Sequence, residues 1–107
     1  MPESVRVLLC TAPPDRAEAV AEGLLQRRLA ACVNVIDGVV SRYWWQDKLE
    51  RDEESLLIIK CEASRVDAIV AALAELHPYE VPELLSLPVE KGNPAYLEWV
   101  RRESSAR

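Results

Sequence analysis

The stretch that decides the fold covers residues 30–62, AACVNVIDGVVSRYWWQDKLERDEESLLIIKCE. Its first half alternates β-branched or aromatic residues with polar or smaller ones, at Val33, Val35, Tyr43 and Trp45. A period of two is typical of a strand with one buried face. Gly38 interrupts the alternation, so we expect a bulge or a bend at this point of the strand.

A second strand-like run extends from Leu49 to Glu62, and polar residues around Asp47 separate the two runs. Two such runs joined by a short polar segment predict a β-hairpin. Each arm exceeds about ten residues, at about 3.3 Å per residue. We therefore expect the hairpin to overhang a small sheet, so that its tip needs another surface.

The segments around the hairpin predict alternating strands and helices. VRVLLC at residues 5–10 has the composition of a strand. A helical stripe follows at Ala17, Val20, Ala21 and Leu24. Its expected cap is Thr11 and its expected end is near Arg28.

The second half repeats this alternation. Residues 64–67, SRVD, resemble a capping box. They open a helix whose apolar face comprises Val66, Ile69, Val70, Leu73 and His77. Pro78 ends this helix, because the residue before a proline is disfavoured in helical geometry. PELLSLPVEKG at residues 82–92 predicts a fourth strand, and Asn93 with Pro94 predicts the start of a last helix.

The predicted order is βαββαβ followed by a helix, which indicates an α+β, ferredoxin-like sandwich over residues 1–107 as a single domain. In this fold both main helices cover the same face of the sheet. The segment LLIIK at residues 56–60 is apolar on both sides, with Leu56 and Ile58 opposite Leu57 and Ile59. Strands of this kind are normally covered on both faces. A monomer would expose an apolar patch, so we expect a homo-oligomer.

Composition excludes several classes of function. The net charge is −5, from 18 acidic and 13 basic residues, which argues against a nucleic-acid partner. No apolar run approaches the ~20 residues of a membrane span, and the N-terminus lacks a signal-peptide layout. Three widely spaced cysteines indicate reduced thiols, and we expect a cytoplasmic protein without a membrane partner.

Three segments resemble the CutA family of divalent-cation-tolerance proteins. They are CTAPPDRAEAVAEGLLQRRLAACVNVI, YWWQDKLERDEESLLIIK and HPYEVPELLSLPVEKGNPAYLEWV, which together cover almost the entire chain. The resemblance implies a ferredoxin-like subunit in a tight homotrimer, with the long hairpins pairing between subunits. It also implies a likeness to nitrogen-regulatory signalling trimers, which bind small effectors in clefts between subunits.

The resemblance further implies copper or another divalent cation as a ligand. The family's attributed copper ligands map onto Cys10 and His77. Leu76 stands where the two-histidine version of the family has a second histidine, so the set is one ligand short. Two structural alternatives stay open. His77 can instead close the helix before Pro78, and Cys10 can be a small buried hydrophobe.

A second candidate site is a cleft between subunits formed by Trp45, Lys60, Tyr79, Glu80 and Glu83. Its carboxylates suit divalent cations or the amine of a ligand. The alternative is a set of interface ion pairs that fix the register of the trimer. The run KLERDEES at residues 48–55 is interpreted as a solvated hairpin tip.

No hydrolase, metalloprotease or phosphate-loop motif is present, and the chain has one histidine. We therefore expect a non-enzymatic homotrimer that takes part in the response or tolerance to divalent metal ions, with copper as a candidate ligand. The alternative is a sensor, signalling or scaffold trimer that binds a small molecule between its subunits.

Overall fold

Residues 4–105, the part of the chain that this computed structural model describes, form four strands and three α-helices. In chain order these are β1 (Val5–Ala12), α1 (Ala17–Gln26), β2 (Cys32–Trp45), β3 (Lys48–Glu62), α2 (Val66–Leu76), β4 (Leu85–Pro88) and α3 (Pro94–Glu103). The strands form one sheet in the order β2-β3-β1-β4, and every neighbouring pair is antiparallel. The predicted α+β, ferredoxin-like order with a terminal helix is confirmed.

The hairpin of β2 and β3 is the longest feature of the subunit. Its pairing extends from Cys32 opposite Lys60 to Trp45 opposite Lys48. Gln46 and Asp47 join the arms with φ angles of 51° and 65°, the left-handed pair that a type I′ turn requires. The register shifts between Ile36 and Val39, where Gly38 has a φ of 81°. The hairpin, its turn and its bulge are therefore confirmed.

The core lies between the sheet and helices α1 and α2. Leu8, Leu57 and Ile59 from the sheet are fully buried. The helices contribute the buried side chains Val20, Leu24, Ile69 and Leu73. Because β1 and β3 are antiparallel neighbours, their alternate residues point into this layer together and form one continuous cluster.

The opposite face of the sheet is apolar, and within residues 4–105 neither α1 nor α2 covers it. Leu85 on β4 is 56% exposed, and Leu87 and Ile36 are 48% and 45% exposed. Leu56 and Ile58 on β3 are only partly buried. The predicted difference between the two faces of LLIIK is therefore present in the subunit.

Two predicted helix starts are wrong. Strand β1 continues to Ala12, so Thr11 is a strand residue and does not cap α1. Ser64 lies in a short 3-10 turn over Ala63–Arg65 and donates its hydroxyl to the Glu62 carboxylate. The N-cap residue of α2 is Arg65, which makes no capping bond through its side chain. The continued pairing of β1 and the hydrogen bond of Ser64 determine where the two helices start. A short sequence motif predicts neither contact.

Helix α1 ends at Gln26 with Arg27 as its C-cap, close to the predicted end near Arg28, which has a left-handed φ of 58°. Two other details differ from the prediction. Val70 is 53% exposed, so it does not belong to the buried stripe of α2. The fourth strand contains only Leu85–Pro88 of the predicted run. At the start of α3, the Asn93 side chain accepts a hydrogen bond from the Ala95 amide at 3.0 Å, as expected for a cap.

Candidate functional site

A groove of about 810 Å³ lies between the overhanging hairpin and the segment that follows α2. We call it the hairpin groove. Strands β2 and β3 supply one wall, which includes Tyr43, Trp45, Asp52 and Glu54. The segment from Pro78 to Glu83 supplies the other wall, which includes Tyr79, Glu80 and Glu83. The proline that ends α2 thus directs the chain across the base of the hairpin.

Glu54 is a buried carboxylate of this groove. It is 5% exposed, and its Oε2 accepts a hydrogen bond from the Tyr79 hydroxyl at 2.7 Å. Burial and the bond to Glu54 raise the pKa of Tyr79, because both favour the neutral phenol. The bond connects the two walls of the groove. The interpretation of KLERDEES as wholly solvated is therefore wrong at Glu54 and at the buried Ser55.

A second phenol–carboxylate pair lies farther along the hairpin. The Tyr43 hydroxyl donates a hydrogen bond to Asp52 on the facing strand. This hydrogen bond is the main reason that the pKa of Tyr43 rises to about 12. Tyr43 remains 37% exposed, so its ring faces the groove and is accessible. The wall therefore combines aromatic surface with carboxylates.

His77 holds the end of α2 against β1. Its Nε2 lies 2.7 Å from the Thr11 carbonyl oxygen, and its Nδ1 accepts a hydrogen bond from the Tyr79 amide at 3.1 Å. Since a carbonyl can only accept, Nε2 carries the proton and the ring is neutral. Both ring nitrogens therefore form hydrogen bonds, and we call this pair of hydrogen bonds the clasp. The backbone at His77 is extended, which confirms that the helix ends there.

Cys10 lies in the core beneath this clasp. Its side chain is fully buried on the face of the sheet that α1 and α2 cover. Burial raises the pKa of its thiol to about 12, and the nearby carboxylates of Glu83 and Glu54 add to the increase. Without a metal ion this thiol stays protonated, and copper could bind it only by displacing the proton and reaching into the core.

The residues of the implied copper site do not fit the ion in this conformation. His77 offers no free nitrogen, and the Cys10 thiol is enclosed in the core. Among residues 4–105, no three histidine, cysteine or carboxylate side chains are grouped so that they could hold a metal ion. The two residues that sequence similarity assigns to copper are therefore already engaged in the fold, His77 through hydrogen bonds and Cys10 through burial in the core.

Four residues of the predicted cleft meet at the hairpin groove. These are Trp45, Tyr79, Glu80 and Glu83. Lys60 is elsewhere in the subunit: its Nζ donates to the Asn34 side chain and lies 3.9 Å from Cys32 Sγ. Within the described residues of one subunit, Glu80 and Glu83 form no ion pair. Ion pairs that fix the register of a trimer would therefore have to join them to a neighbouring subunit.

Sequence reasoning missed Tyr43, Asp52 and Glu54 as residues of the site. A signal for them was present in the register. A two-residue turn at Gln46 and Asp47 places Tyr43 opposite Glu50, and the period of two then puts Asp52 and Glu54 on the same side. The register does not predict that Tyr79, from a distant part of the chain, contacts Glu54.

Comparison with known proteins identifies close similarity. The family model described as CutA1 divalent ion tolerance protein matches residues 6–103. A protein CutA homolog from Xenopus laevis is 50% identical over 91% of this chain, which spans 65% of that relative. A divalent-cation tolerance protein CutA from Pectobacterium atrosepticum is 46% identical, with 88% of this chain and 86% of the relative covered.

Solved structures show the same fold. CutA from Xylella fastidiosa superposes with a TM-score of 0.92 at 41% identity, covering 95% of this chain and 99% of that one. A PII-like protein CutA from Nostoc sp. PCC 7120, in its apo form, superposes with a TM-score of 0.89 at 28% identity, with 95% and 99% covered.

The clasp at His77 predicts a loss of stability that is independent of metal. In buffer with EDTA, His77→Ala should lower the free energy of unfolding by about 1–3 kcal/mol, because the Thr11 carbonyl and the Tyr79 amide lose buried partners. His77→Asn is the control, since its side chain can still accept from the amide two residues on. Chemical denaturation measures both. If metal-free His77→Ala is as stable as the wild type, the clasp is not structural.

The burial of Cys10 predicts slow alkylation. At pH 8, native Cys10 should react with iodoacetamide at least about 100-fold more slowly than in urea, because the thiolate is the nucleophile and its fraction falls tenfold per pKa unit. Peptide mass spectrometry follows the reaction at each cysteine. Equal rates for Cys10 in the native and unfolded proteins would contradict the enclosure of its thiol.

Proposed function

From the premise that this chain belongs to the CutA1 divalent ion tolerance protein family, we propose that it acts as a homotrimer in the response to divalent metal ions. It does so by binding and not by catalysis. The observation that carries the proposal is the uncovered apolar face of the sheet together with the overhanging hairpin.

The uncovered face supports association. Leu85, Leu87 and Ile36 are each about half exposed on one side of a four-stranded sheet. Their burial against another subunit would remove apolar area from water, which stabilises an assembly at about 25 cal/mol per Å². The free edge of β2 adds unpaired backbone groups along a strand of 14 residues. The resemblance to CutA trimers supports three subunits.

A binding role agrees with the chemistry of the buried groups. The thiols of Cys10 and Cys61 are enclosed in the core, and both nitrogens of His77 are hydrogen-bonded. These side chains therefore supply neither a free nucleophile nor a free base in this conformation. Family relatives are described by divalent-cation tolerance, and their descriptions name no reaction.

The copper pair of Cys10 and His77 stays a prediction, and the contacts of both side chains in this conformation count against it. Copper binding by this pair would require release of the Thr11 and Tyr79 contacts and deprotonation of an enclosed thiol. The metal response would then depend on a rearrangement, or the ions would act at another part of the trimer.

A second candidate function is that of a small-molecule sensor, signalling or scaffold trimer. The hairpin groove favours it, since its volume falls in the range of small-molecule sites and it contains a buried carboxylate. The similar structure from Nostoc is described as PII-like, which supports the same reading. Lys60 lies outside the groove of one subunit, so its place in a cleft depends on the trimer.

Other sequence-based expectations accompany this proposal. No helix within residues 4–105 is long and apolar enough to cross a membrane. The acidic balance of the chain supports the expectation that nucleic acid is not a partner. The cytoplasmic location stays a prediction.

The trimer is tested by mass and by substitution of the uncovered face. Light scattering at micromolar concentration should give about three times the 12.0 kDa of the chain. Leu85→Glu combined with Leu87→Glu should shift the mass toward one chain, because buried charges oppose association. Val70→Glu, on the exposed side of α2, is the matched control and should keep the trimer. A wild-type mass of one chain would contradict the proposal.

Copper ligation is tested by anaerobic titration with Cu(I) and separately with Cu(II), followed by calorimetry. Because the Cys10 thiol and both His77 nitrogens are occupied, we expect weak binding that Cys10→Ser and His77→Asn leave unchanged. Cys61→Ser, at an equally buried thiol, is the control. Tight stoichiometric binding that either ligand variant abolishes, while the control keeps it, would establish the pair as the copper site.

A further inference from the structure

We propose that the hairpin groove binds an organic cation, a small molecule with a protonated amine on an apolar body, and that Glu54 anchors the ammonium group. The inference rests on the binding role proposed above and adds the chemical class of the ligand. It is carried by a buried acid that has no cationic partner within residues 4–105, by the size of the groove and by its aromatic walls.

The first observation is that the buried carboxylate of Glu54 has no ion-pair partner within the described residues. At 5% exposure it has one hydrogen-bond partner within residues 4–105, the Tyr79 hydroxyl, and no described lysine, arginine or histidine forms an ion pair with it. Burying a carboxylate is unfavourable unless a cation or several donors compensate. A ligand that brings a positive charge to this carboxylate would supply the missing partner.

The second observation is the charge around the groove. Four carboxylates line it, from Asp52, Glu54, Glu80 and Glu83, against the single guanidinium of Arg42. The lining therefore has a formal charge of −3. In a concave site with apolar walls, such a charge raises the local concentration of cations and repels anions.

The size and the walls of the groove distinguish an organic cation from a metal ion. Protein sites for hard divalent ions bring several carboxylate or carbonyl oxygens together at one point, and waters complete the coordination shell. Within the described residues, the carboxylates do not form even a group of three that could hold a metal. The groove measures about 810 Å³, which suits a small molecule and is far larger than an ion.

Aromatic rings give the apolar part of such a ligand a surface to contact. Tyr43, Trp45 and Tyr79 all line the groove, and each keeps between 37% and 47% of its surface exposed. The faces of these rings attract ammonium groups, and their edges and carbon atoms pack against an apolar body. The hydroxyls of Tyr43 and Tyr79 already donate to Asp52 and Glu54, which leaves the ring faces as the available surfaces.

The test compares three ligands of similar size on the full chain as it exists in solution. These are 2-phenylethylamine, the neutral 2-phenylethanol and the anionic 3-phenylpropanoate. Calorimetry and tryptophan fluorescence should show saturable binding of the amine and at least about tenfold weaker binding of the other two, because charge is what the site recognises. Equal binding of the neutral or anionic ligand would overturn the proposal.

Matched variants test the anchor. Glu54→Gln keeps an acceptor for Tyr79 and removes the charge, so it should weaken amine binding at least about tenfold. Glu53→Gln removes an exposed neighbouring charge outside the groove and should leave binding unchanged. Unchanged binding in a folded Glu54→Gln protein would overturn the role of Glu54.

Competition with Mg²⁺ and the mass measured by light scattering distinguish the remaining outcomes. Millimolar Mg²⁺ should not displace the amine, and stoichiometric displacement would identify a metal site instead. If no amine binds and Glu54→Gln lowers the mass measured by light scattering, the groove is a contact between subunits and the inference is wrong. Absence of amine binding with an intact trimer would reject this inference alone and leave the proposed trimer unaffected.

Discussion

The register of the hairpin is the constraint on which the rest of the subunit depends. The two-residue turn at Gln46 and Asp47 fixes which residues of β2 and β3 oppose each other. A shift by one residue would exchange the faces of every side chain on β3. The observed register buries Leu57 and Ile59 beneath the helices, and Leu56 and Ile58 then face the uncovered side. The same pairing extends the hairpin beyond the sheet and creates one wall of the groove.

The end of α2 connects the core to that groove. His77 contacts β1 through the Thr11 carbonyl and contacts the following segment through the Tyr79 amide. This positions the Tyr79 hydroxyl to reach Glu54 on β3. One neutral imidazole therefore joins helix, strand and groove wall. The resemblance to the family suggests Cys10 and His77 as copper ligands, although the hydrogen bonds of His77 and the burial of Cys10 are those of structural groups.

Parts of the site were predictable from the sequence and parts were not. Trp45, Tyr79, Glu80 and Glu83 could be named from the sequence because they lie in segments that resemble a known family. Glu54 was missed, because acidic residues near a hairpin tip are usually solvated and the hairpin register predicts its face of the strand but not its burial. Its burial arises from the approach of Tyr79, 25 residues away in sequence. Lys60 was included for its charge, yet its contacts with Asn34 and Cys32 lie outside the groove.

The sequence by itself determined the order of strands and helices, the hairpin with its bulge at Gly38, and the two-sided apolar character of LLIIK. These follow from short-range periodicity and from backbone preferences that each residue carries with it. Only the tertiary structure decided that His77 is hydrogen-bonded at both nitrogens and that the Glu54 carboxylate is enclosed with no cationic partner among residues 4–105. The physical reason is that burial and hydrogen bonding depend on which segments distant in sequence come into contact, and local sequence patterns do not specify those contacts.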